Sequence, residues 1–514
     1  MTKTAENILL FLMFLIAGGI YCALTQQEIW WDFFNYHYYN GWAFWTGQTF
    51  KNIAPAGAHS YFNPLLDLYT YFLVSHFNES SHLIYFGQGL WLGALWFITL
   101  KLILLILPNQ TKLEKMACLI AFFFSILSYS IFRQAGTSTN EIPVAVLFLS
   151  GCYWLLKYLY QTDQRSKPLL MGSGLIIGVT CGLKMTVIPM AVALGLFLLF
   201  YYRHLKKPLK TYLSWGLSGL IGYLITNGFW MFLLWSHFKN PFFPFFNNIF
   251  KSPFALPVYL RDTFYDPSDI WGYFSLPLDL LSYNFTASDT RKQSFNIPLG
   301  LLATVFFLFF KNRKPVHNFL INFMLVGYPL WLLSTHVLRY AIPLEIFSSI
   351  ICVALIIRLQ RNFVPAFLIA LLLLNVWAAF TYRYWLPFHL DDKSYIRISA
   401  PKIASDTVIL LYGQRVSGLL PHIQGGQFAA GIETRWRLSQ PETNISVTGH
   451  LNSLLLQKTG KNPLYALMYM GYPHPACSEI KNFSTPYAFY VCPKPDSDGI
   501  VHGMTLEQLG EFLR

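Results

Sequence analysis

The residues best suited to chemistry are a carboxylate and an imidazole, Asp32 and His37, in an aromatic segment directly after the first apolar run. A carboxylate placed there can accept the proton of a reacting hydroxyl group, so Asp32 is the predicted reaction centre. In a helix, the spacing would place Asn35, Tyr36 and Tyr39 on the same face as Asp32 and turn His37 elsewhere. Spacing alone therefore does not pair Asp32 with His37. Tyr36 and His37 are predicted substrate contacts.

The same loop carries three further candidates, His59, Asn63 and Asp67. Asn63 and Pro64 have the pattern of a helix N-cap and first helical position, so Asn63 either caps a helix or contacts substrate. For His37 and His59, an ordinary interfacial hydrogen bond is the alternative to substrate binding. Asp67 is a candidate substrate contact and, like Glu141, an alternative base if Asp32 does not act.

A second polar turn, residues 133–141, ends in an acid at the start of the fourth apolar run. Arg133 and Glu141 flank a Gly-Thr-Ser-Thr sequence, and these groups together can bind a hydroxylated or phosphorylated ligand. Helix capping by Asn140 and the attraction of Glu141 to the positive helix end would account for them equally well. We expect Glu141 to act in catalysis by positioning an acceptor or a cation, and Asn140 to contact substrate.

Cationic side chains near helix ends are candidate phosphate-binding groups. Lys184 lies between two short apolar runs, where an ammonium is costly unless paired, so we expect a phosphate or carboxylate partner. Arg339 can bind a phosphate through two parallel hydrogen bonds, or form an ion pair with Glu345. Arg133 and Arg261 complete the predicted phosphate-binding set.

Acidic residues give only a weak indication of a metal. Asp266 and Asp269 in the second long loop are too loosely patterned to define a metal site. A divalent cation held by Asp32 and Glu141 stays open as a cofactor, and the sequence predicts none with certainty.

Composition sets the class of protein in which these residues act. Hydrophobic residues make up 54% of the chain and charged residues only 12%, which is typical of an integral membrane protein and not of a soluble domain. We predict an all-α polytopic membrane protein with about eleven spans, some of them short and interrupted by Gly or Pro. The predicted spans are residues 8–24, 83–107, 116–132, 142–160, 168–183, 187–202, 213–235, 297–310, 319–337, 341–357 and 363–380.

The distribution of Lys and Arg predicts the orientation. If the spans alternate, most basic loops fall on one side, which the positive-inside rule assigns to the cytoplasm together with the N-terminus. The formal net charge of +13 then reflects topology and contact with anionic membrane lipids, and no nucleic-acid-binding motif is present. A cleaved secretory signal at residues 8–24 is the alternative, although residues 22–25 form a poor cleavage site.

Two regions follow from this layout. Residues 1–381 are the predicted membrane domain, with long outer loops at 25–82 and 236–296. Residues 382–514 are a predicted extracytoplasmic α/β domain, with strands at 407–412, 465–470 and 487–492 and helices at 447–457 and 505–513. Two of the seven cysteines, Cys477 and Cys492, lie in this domain, and we expect them to form a disulfide in an oxidising compartment.

The layout and several short motifs resemble the GT-C superfamily of membrane glycosyltransferases, in particular uncharacterised bacterial members. The resemblance covers the chain to about residue 380 and has moderate specificity. It rests on Asp32 after the first span, Asn140-Glu141 at the fourth, Gly182-Leu183-Lys184 in the short hairpin, and Arg339-Tyr340 late in the chain. The acidic pair usual in the family appears here as Trp31-Asp32, which leaves metal dependence undecided.

The resemblance implies an enzyme of the bacterial inner membrane that transfers a sugar from a polyprenyl-phosphate donor to a glycan, lipid or protein acceptor, with inversion at the anomeric carbon. Such a reaction needs a carboxylate base and cations for the leaving phosphate, in agreement with the residues above. The alternatives are a transporter or flippase of lipid-linked sugars or small solutes, and a polysaccharide polymerase or ligase.

Overall fold

The fold is mainly helical, as the composition predicts. A computed structural model describes residues 3–160, 167–204, 209–255, 257–260, 266–267, 269–282, 293–311, 313–358, 362–381, 391–413, 415–433, 464–482, 487–505 and 508–509. The α-helices are Lys3–Thr25, Trp30–Asp32, Tyr38–Trp45, Leu65–Phe77, Ser81–Ile106, Lys112–Ile126, Tyr129–Gln134, Glu141–Tyr160, Lys167–Leu183, Ile188–His204, Leu209–Tyr223, Phe229–Phe238, Asn247–Phe250, Ile270–Asp279, Asn296–Leu308, Pro315–Asn322, Tyr328–Ser334, Ile342–Ile356 and Val364–Thr381.

Every predicted apolar run is helical over most of its length, but fewer have the dimensions of a membrane span. Among the described residues, six helices are long and apolar enough to cross a bilayer, and these indicate a membrane protein. They are Thr4–Thr25, Ser81–Ile106, Glu141–Tyr160, Leu209–Phe238, Pro315–Ser334 and Leu338–Ile356. Four further apolar helices, Lys167–Leu183, Met185–Tyr201, Asn296–Leu308 and Val364–Leu374, are shorter.

Short π-helical segments interrupt some of the α-helices. One of them, Phe323–Gly327, joins Pro315–Asn322 to Tyr328–Ser334. Pro329, in the helix that follows, has no N–H group to donate to the carbonyl of Leu325, and a locally wider turn accommodates this missing bond. A second segment, Phe33–His37, contains the polar residues that follow Asp32.

The described chain forms two compact units, and the division differs from the predicted boundary at residue 381. The first unit comprises Met1–Gln27, Tyr85–Gly228 and Asp262–Leu390, and the second comprises Glu28–Ile84, Phe229–Arg261 and Asp391–Arg514. Most of the first long loop and the first part of the second therefore belong with the C-terminal segment. The physical reason is direct hydrogen bonding, for example from Ile53 N–H to the carbonyl of Ala429 at 2.8 Å.

Glycines hold two helices of the first unit in close contact. A Cβ atom added at Gly178 would lie 1.8 Å from the carbonyl oxygen of Gly219, and one at Gly222 would lie 2.2 Å from that of Leu175. The helices Lys167–Leu183 and Leu209–Tyr223 can approach this closely only because no side chains intervene. This packing fixes the end of the helix that leads into Lys184.

The second unit contains the sheets of the C-terminal segment. The strands in chain order are β1 Ile398–Ser399, β2 Lys402–Ile403, β3 Thr407–Tyr412, β4 Gln424–Gly425, β5 Ala429–Glu433, β6 Leu464–Met470, β7 Ser478–Asn482, β8 Phe489–Cys492 and β9 Ile500–Val501. A six-stranded mixed sheet has the order β1-β7-β8-β6-β3-β5, and a three-stranded sheet has the order β4-β2-β9. The long predicted strands are present as β3, β6 and β8. The predicted helix at 447–457 lies outside the described residues, as does most of the one at 505–513.

A disulfide joins Cys477 to Cys492 beside strand β8. Both residues are buried in the core of this sheet with Val408, Leu467 and Tyr490. The bond therefore fastens the segment before β7 to the end of β8, and β8 pairs in the sheet with β7 on one side and β6 on the other. The remaining five cysteines are buried as free thiols.

Candidate functional site

The first unit contains a cleft lined by charged residues from three separate elements. Glu141 is the first residue of the helix Glu141–Tyr160, Lys184 follows the helix Lys167–Leu183, and Arg339 lies in the short 3₁₀ turn Leu338–Ala341. All three line the same pocket, together with Tyr340. The structure thus brings together three side chains that the sequence singled out separately.

The geometry of this cleft is that of a buried carboxylate between two cations. Lys184 Nζ donates a hydrogen bond of 2.7 Å to Glu141 Oε1, and Arg339 Nε lies 3.8 Å from the same oxygen. The Glu141 side chain is only 3% exposed, whereas Lys184 is 17% and Arg339 15% exposed. Both cations also lie over the ring of Tyr340, at 5.1 Å and 5.5 Å. The cluster carries one more positive charge than negative.

Lys184 keeps its proton in this setting. Burial lowers the pKa of its ammonium group, but the charge of Glu141 and the effect of Tyr340 outweigh this, and the net pKa lies above the ordinary value. An ammonium and a guanidinium that face one cleft can together bind an oxyanion.

In the turn that precedes Glu141, polar side chains form hydrogen bonds with one another. Thr137 Oγ1 and Thr139 Oγ1 are 2.6 Å apart, and Thr139 also bonds to the side-chain oxygen of Gln134. Gly136 has a φ of +75°, a conformation that favours glycine. These hydroxyl groups support the turn, and Asn140 lies at its end, where its carbonyl accepts the N–H of Val144.

Arg133 belongs to the short helix Tyr129–Gln134 of the first unit. In this helix Ser130 Oγ donates a hydrogen bond of 3.2 Å to the carbonyl of Leu338, the residue before Arg339. The structure therefore ties the helix of Arg133 to the turn of Arg339. Arg261, the remaining predicted phosphate-binding residue, lies outside the described residues.

Glu345 has partners other than Arg339. It is fully buried, and its carboxylate accepts hydrogen bonds from Ser128 Oγ at 2.8 Å and Ser294 Oγ at 3.0 Å. Within the described contacts, Arg339 approaches Glu141 and not Glu345. The ion pair considered as an alternative from the sequence is thus not the one that forms, because Glu345 is turned toward the serines.

The acidic residues of the second long loop have separate roles. Asp269 caps the helix Ile270–Asp279 by accepting the N–H of Gly272 at 2.8 Å. Asp266 Oδ1 lies 3.4 Å from Nε2 of the buried His336. Across the part of the chain that the structure describes, no three His, Cys, Asp or Glu side chains group as a metal site.

In the second unit, the side chain of Asp32 is buried. It is only 1% exposed, and it precedes the π-helical segment Phe33–His37, in which every residue is buried. Segments of this kind are frequent at functional sites, because the wider turn displaces side chains from their α-helical positions. The helical faces expected from α-helical spacing therefore do not apply beyond Asp32.

His37 pairs with Asp67. The two side chains are buried, and His37 Nδ1 lies 2.6 Å from Asp67 Oδ1. The ring of Tyr36 lies 4.1 Å from that of His37 and stacks on His59 at 4.7 Å. A carboxylate that accepts a hydrogen bond from Nδ1 of an imidazole orients the ring, as in acid–base dyads.

Asn63 lies beside a helix start, but the N-cap position is taken by Pro64 and the helix begins one residue later than predicted. Its Oδ1 accepts the N–H of Leu65 at 3.1 Å, and the helix Leu65–Phe77 begins after Pro64. This contact favours the capping interpretation of Asn63. His59 is likewise tied to its surroundings through its carbonyl, which accepts a hydrogen bond of 2.9 Å from Asn40 Nδ2.

The sequence analysis missed Arg415 and Tyr487, which lie with Asp32 in the second unit. Arg415 N–H donates to Asn35 Oδ1 at 3.2 Å, and its guanidinium lies 4.5 Å from the ring centre of Tyr487. Burial raises the pKa of the Tyr487 phenol, the Arg415 charge opposes this, and the Asp32 charge adds to it. The only sequence signal was an arginine next to a Gly-Gln turn after strand β3, which is too weak to identify a site.

No protein-family model and no curated protein sequence matches this chain. The function is therefore argued from the site.

Proposed function

We propose that this protein is a membrane glycosyltransferase of GT-C type that transfers a sugar from a polyprenyl-phosphate donor to an acceptor hydroxyl group. The observation that carries the proposal is the cleft of Glu141, Lys184 and Arg339, where two cations and one buried carboxylate form a site with excess positive charge. A leaving phosphate gains negative charge as its bond to the sugar breaks. Fixed cations stabilise that charge.

In the proposed reaction, the acceptor oxygen attacks the anomeric carbon while the bond from that carbon to the phosphate oxygen breaks. The electron pair of this bond leaves with the polyprenyl phosphate, and the acceptor proton passes to a carboxylate. A single displacement of this kind inverts the anomeric configuration. Lys184 and Arg339 bind the phosphate, Glu141 fixes the ammonium of Lys184, and Asp32 is the proposed base.

The His37–Asp67 pair is a second candidate base. It is favoured by a specific observation, the 2.6 Å contact that orients the imidazole. A histidine that is oriented by a carboxylate is a common general base. The variants Asp32→Asn and His37→Gln distinguish the two candidate bases.

A transporter or flippase of lipid-linked sugars and a polysaccharide polymerase or ligase are the rival functions. In a transporter we would expect the ionisable groups near the middle of spanning helices, in a polar pathway. Glu141, Lys184 and Arg339 instead lie at helix ends and in a turn. A polymerase or ligase uses the same donor chemistry, so only the acceptor distinguishes it from the proposed enzyme.

The proposed arrangement has about eleven membrane crossings, a cytoplasmic N-terminus and an extracytoplasmic C-terminal region in a bacterial inner membrane. It is supported by the basic residues of the short loops. A reporter that is active only outside the cytoplasm should function when fused after residue 514. Activity of a cytoplasmic reporter at the same position, with the periplasmic reporter silent, would reverse the proposed topology.

The direct test of function is sugar transfer in liposomes that contain the purified full-length protein. Polyprenyl-phosphate sugars that differ in their hexose or pentose are supplied with membrane-extracted lipid and glycan acceptors, and release of polyprenyl phosphate is measured. We expect release that depends on the acceptor. Movement of the intact labelled lipid between leaflets, without cleavage, would instead identify a flippase.

A further inference from the structure

The loop that contains Arg415 is fastened to the segment that follows Asp32. Ser417 Oγ donates hydrogen bonds to the carbonyls of Asn35, at 2.6 Å, and Phe34, at 3.2 Å. A Cβ atom at Gly418 would lie 2.4 Å from the ring of Phe34, so the two backbones are in close contact. Together with the bond from Arg415 N–H to Asn35, these contacts hold the loop in one position.

Arg415 itself has an unfavourable backbone conformation. Its φ is +71°, which is uncommon for a residue other than glycine. Such conformations persist where the surrounding contacts impose them, and they cluster at ligand-binding sites. A glycine, Gly413, lies two residues earlier. Even so, the residue that adopts this strained backbone conformation is an arginine with a long cationic side chain.

The guanidinium group is stacked but not fully hydrogen-bonded. One face lies on the Tyr487 ring, and Nη1 lies 3.7 Å from the Met470 sulfur, a weak acceptor. The buried Nε has no hydrogen-bond partner among the residues that the structure describes. A guanidinium has five N–H donors, and its natural partner is an oxyanion that accepts two of them in parallel.

We propose that Arg415 and Tyr487 form an oxyanion-binding site next to the segment that follows Asp32, in which the guanidinium binds a phosphate or carboxylate group of a substrate. This inference rests on the proposed function for the identity of that substrate, but the site itself does not depend on it. The oxyanion belongs either to the lipid-phosphate donor or to an acidic acceptor. In either case the C-terminal region contributes directly to substrate binding.

The charge of Asp32 gives the proposal a distinctive signature. If Arg415 served only as a counter-ion for Asp32, then Asp32→Asn would remove the charge that Arg415 neutralises and leave oxyanion binding unaffected. If Arg415 binds an oxyanion, Asp32→Asn removes a repelling charge and should strengthen that binding. Arg415→Ala should weaken it. The two substitutions are therefore expected to act in opposite directions.

The experiment measures binding of inorganic phosphate and of polyprenyl phosphate to the full-length protein in detergent. We expect Arg415→Ala to weaken phosphate binding by about tenfold or more, and Arg415→Lys to have an intermediate effect because it keeps the charge but not the planar fork. Arg397→Ala, which removes an exposed arginine of the same unit, is the matched control and should bind as wild type does. Wild-type affinity in Arg415→Ala would overturn the proposal.

The two sources of the oxyanion are distinguished in the same series. If the oxyanion is the donor phosphate, Arg415→Ala should weaken the binding of polyprenyl phosphate as well as that of inorganic phosphate. If the oxyanion belongs to an acidic acceptor, Arg415→Ala should leave polyprenyl phosphate binding unchanged and raise only the KM for the acceptor. If Arg415→Ala does not fold, wild-type protein is treated with phenylglyoxal, and phosphate should protect Arg415 but not Arg397. Equal labelling of Arg415 with and without phosphate would refute the site, whereas protection without sugar transfer would refute only the proposed enzyme.

Discussion

Asp32→Asn should lower sugar transfer by about a hundred- to ten-thousand-fold, the usual cost of removing a general base. The amide has the size of the carboxylate but cannot accept the acceptor proton. The measurement is the initial rate of polyprenyl-phosphate release in liposomes at saturating donor. Because Asp32 is buried, we also expect a modest loss of stability, within about 2 kcal/mol for a change of this kind.

Asp269→Asn is the matched control for this substitution. Asp269 caps a helix by accepting the N–H of Gly272, and asparagine is an equally good N-cap, so activity and melting temperature should both stay near wild type. His37→Gln and Asp67→Asn test the rival base. Wild-type transfer in Asp32→Asn together with a collapse in His37→Gln would move the base to the His37–Asp67 pair.

Apolar periodicity was sufficient to predict where the apolar helices and three main strands lie, but among the described residues only six of these helices are long enough to cross a bilayer. The predicted run at 407–412 coincides with strand Thr407–Tyr412, because a short apolar segment bounded by polar and Gly residues has few alternatives. The charged residues of the cleft were also recognisable. A cation or acid at the end of an apolar helix is costly, so Glu141, Lys184 and Arg339 stood out before their contacts were known.

The sequence could not predict contacts between side chains that lie far apart along the chain. An α-helical spacing would turn His37 away from the face of Asp32. The π-helical segment Phe33–His37 changes that spacing, and the ring of His37 contacts Asp67. Arg415 contacts Asn35 across 380 positions of sequence, and no local pattern specifies such a contact. Glu345 was near Arg339 in sequence but is satisfied by serines from two other segments.

The largest stability effect should come from Lys184→Ala, which removes the hydrogen-bond donor of the buried Glu141 carboxylate. Breaking one side of a buried pair typically costs about 3–5 kcal/mol, and we expect the lower end because Lys184 is partly exposed and Arg339 Nε remains 3.8 Å away. The KM for the polyprenyl-phosphate donor should rise by about ten- to a hundredfold, the effect of one charge-assisted hydrogen bond. Thermal melting in detergent and donor titrations measure the two effects, and Lys101→Ala, which removes a lysine bonded to Asn7, is the matched control.

The double variant Lys184→Ala/Glu141→Gln separates the structural role of Lys184 from its role in binding. A neutral glutamine does not need a cation beside it, so most of the lost stability should return. Donor binding should stay weak, because the ammonium that would contact the phosphate is still missing. Recovery of both melting temperature and donor KM in the double variant would mean that Lys184 only neutralises Glu141. Recovery of melting temperature alone is the result expected of a phosphate-binding lysine, because only a ligand contact would remain lost once the carboxylate is gone.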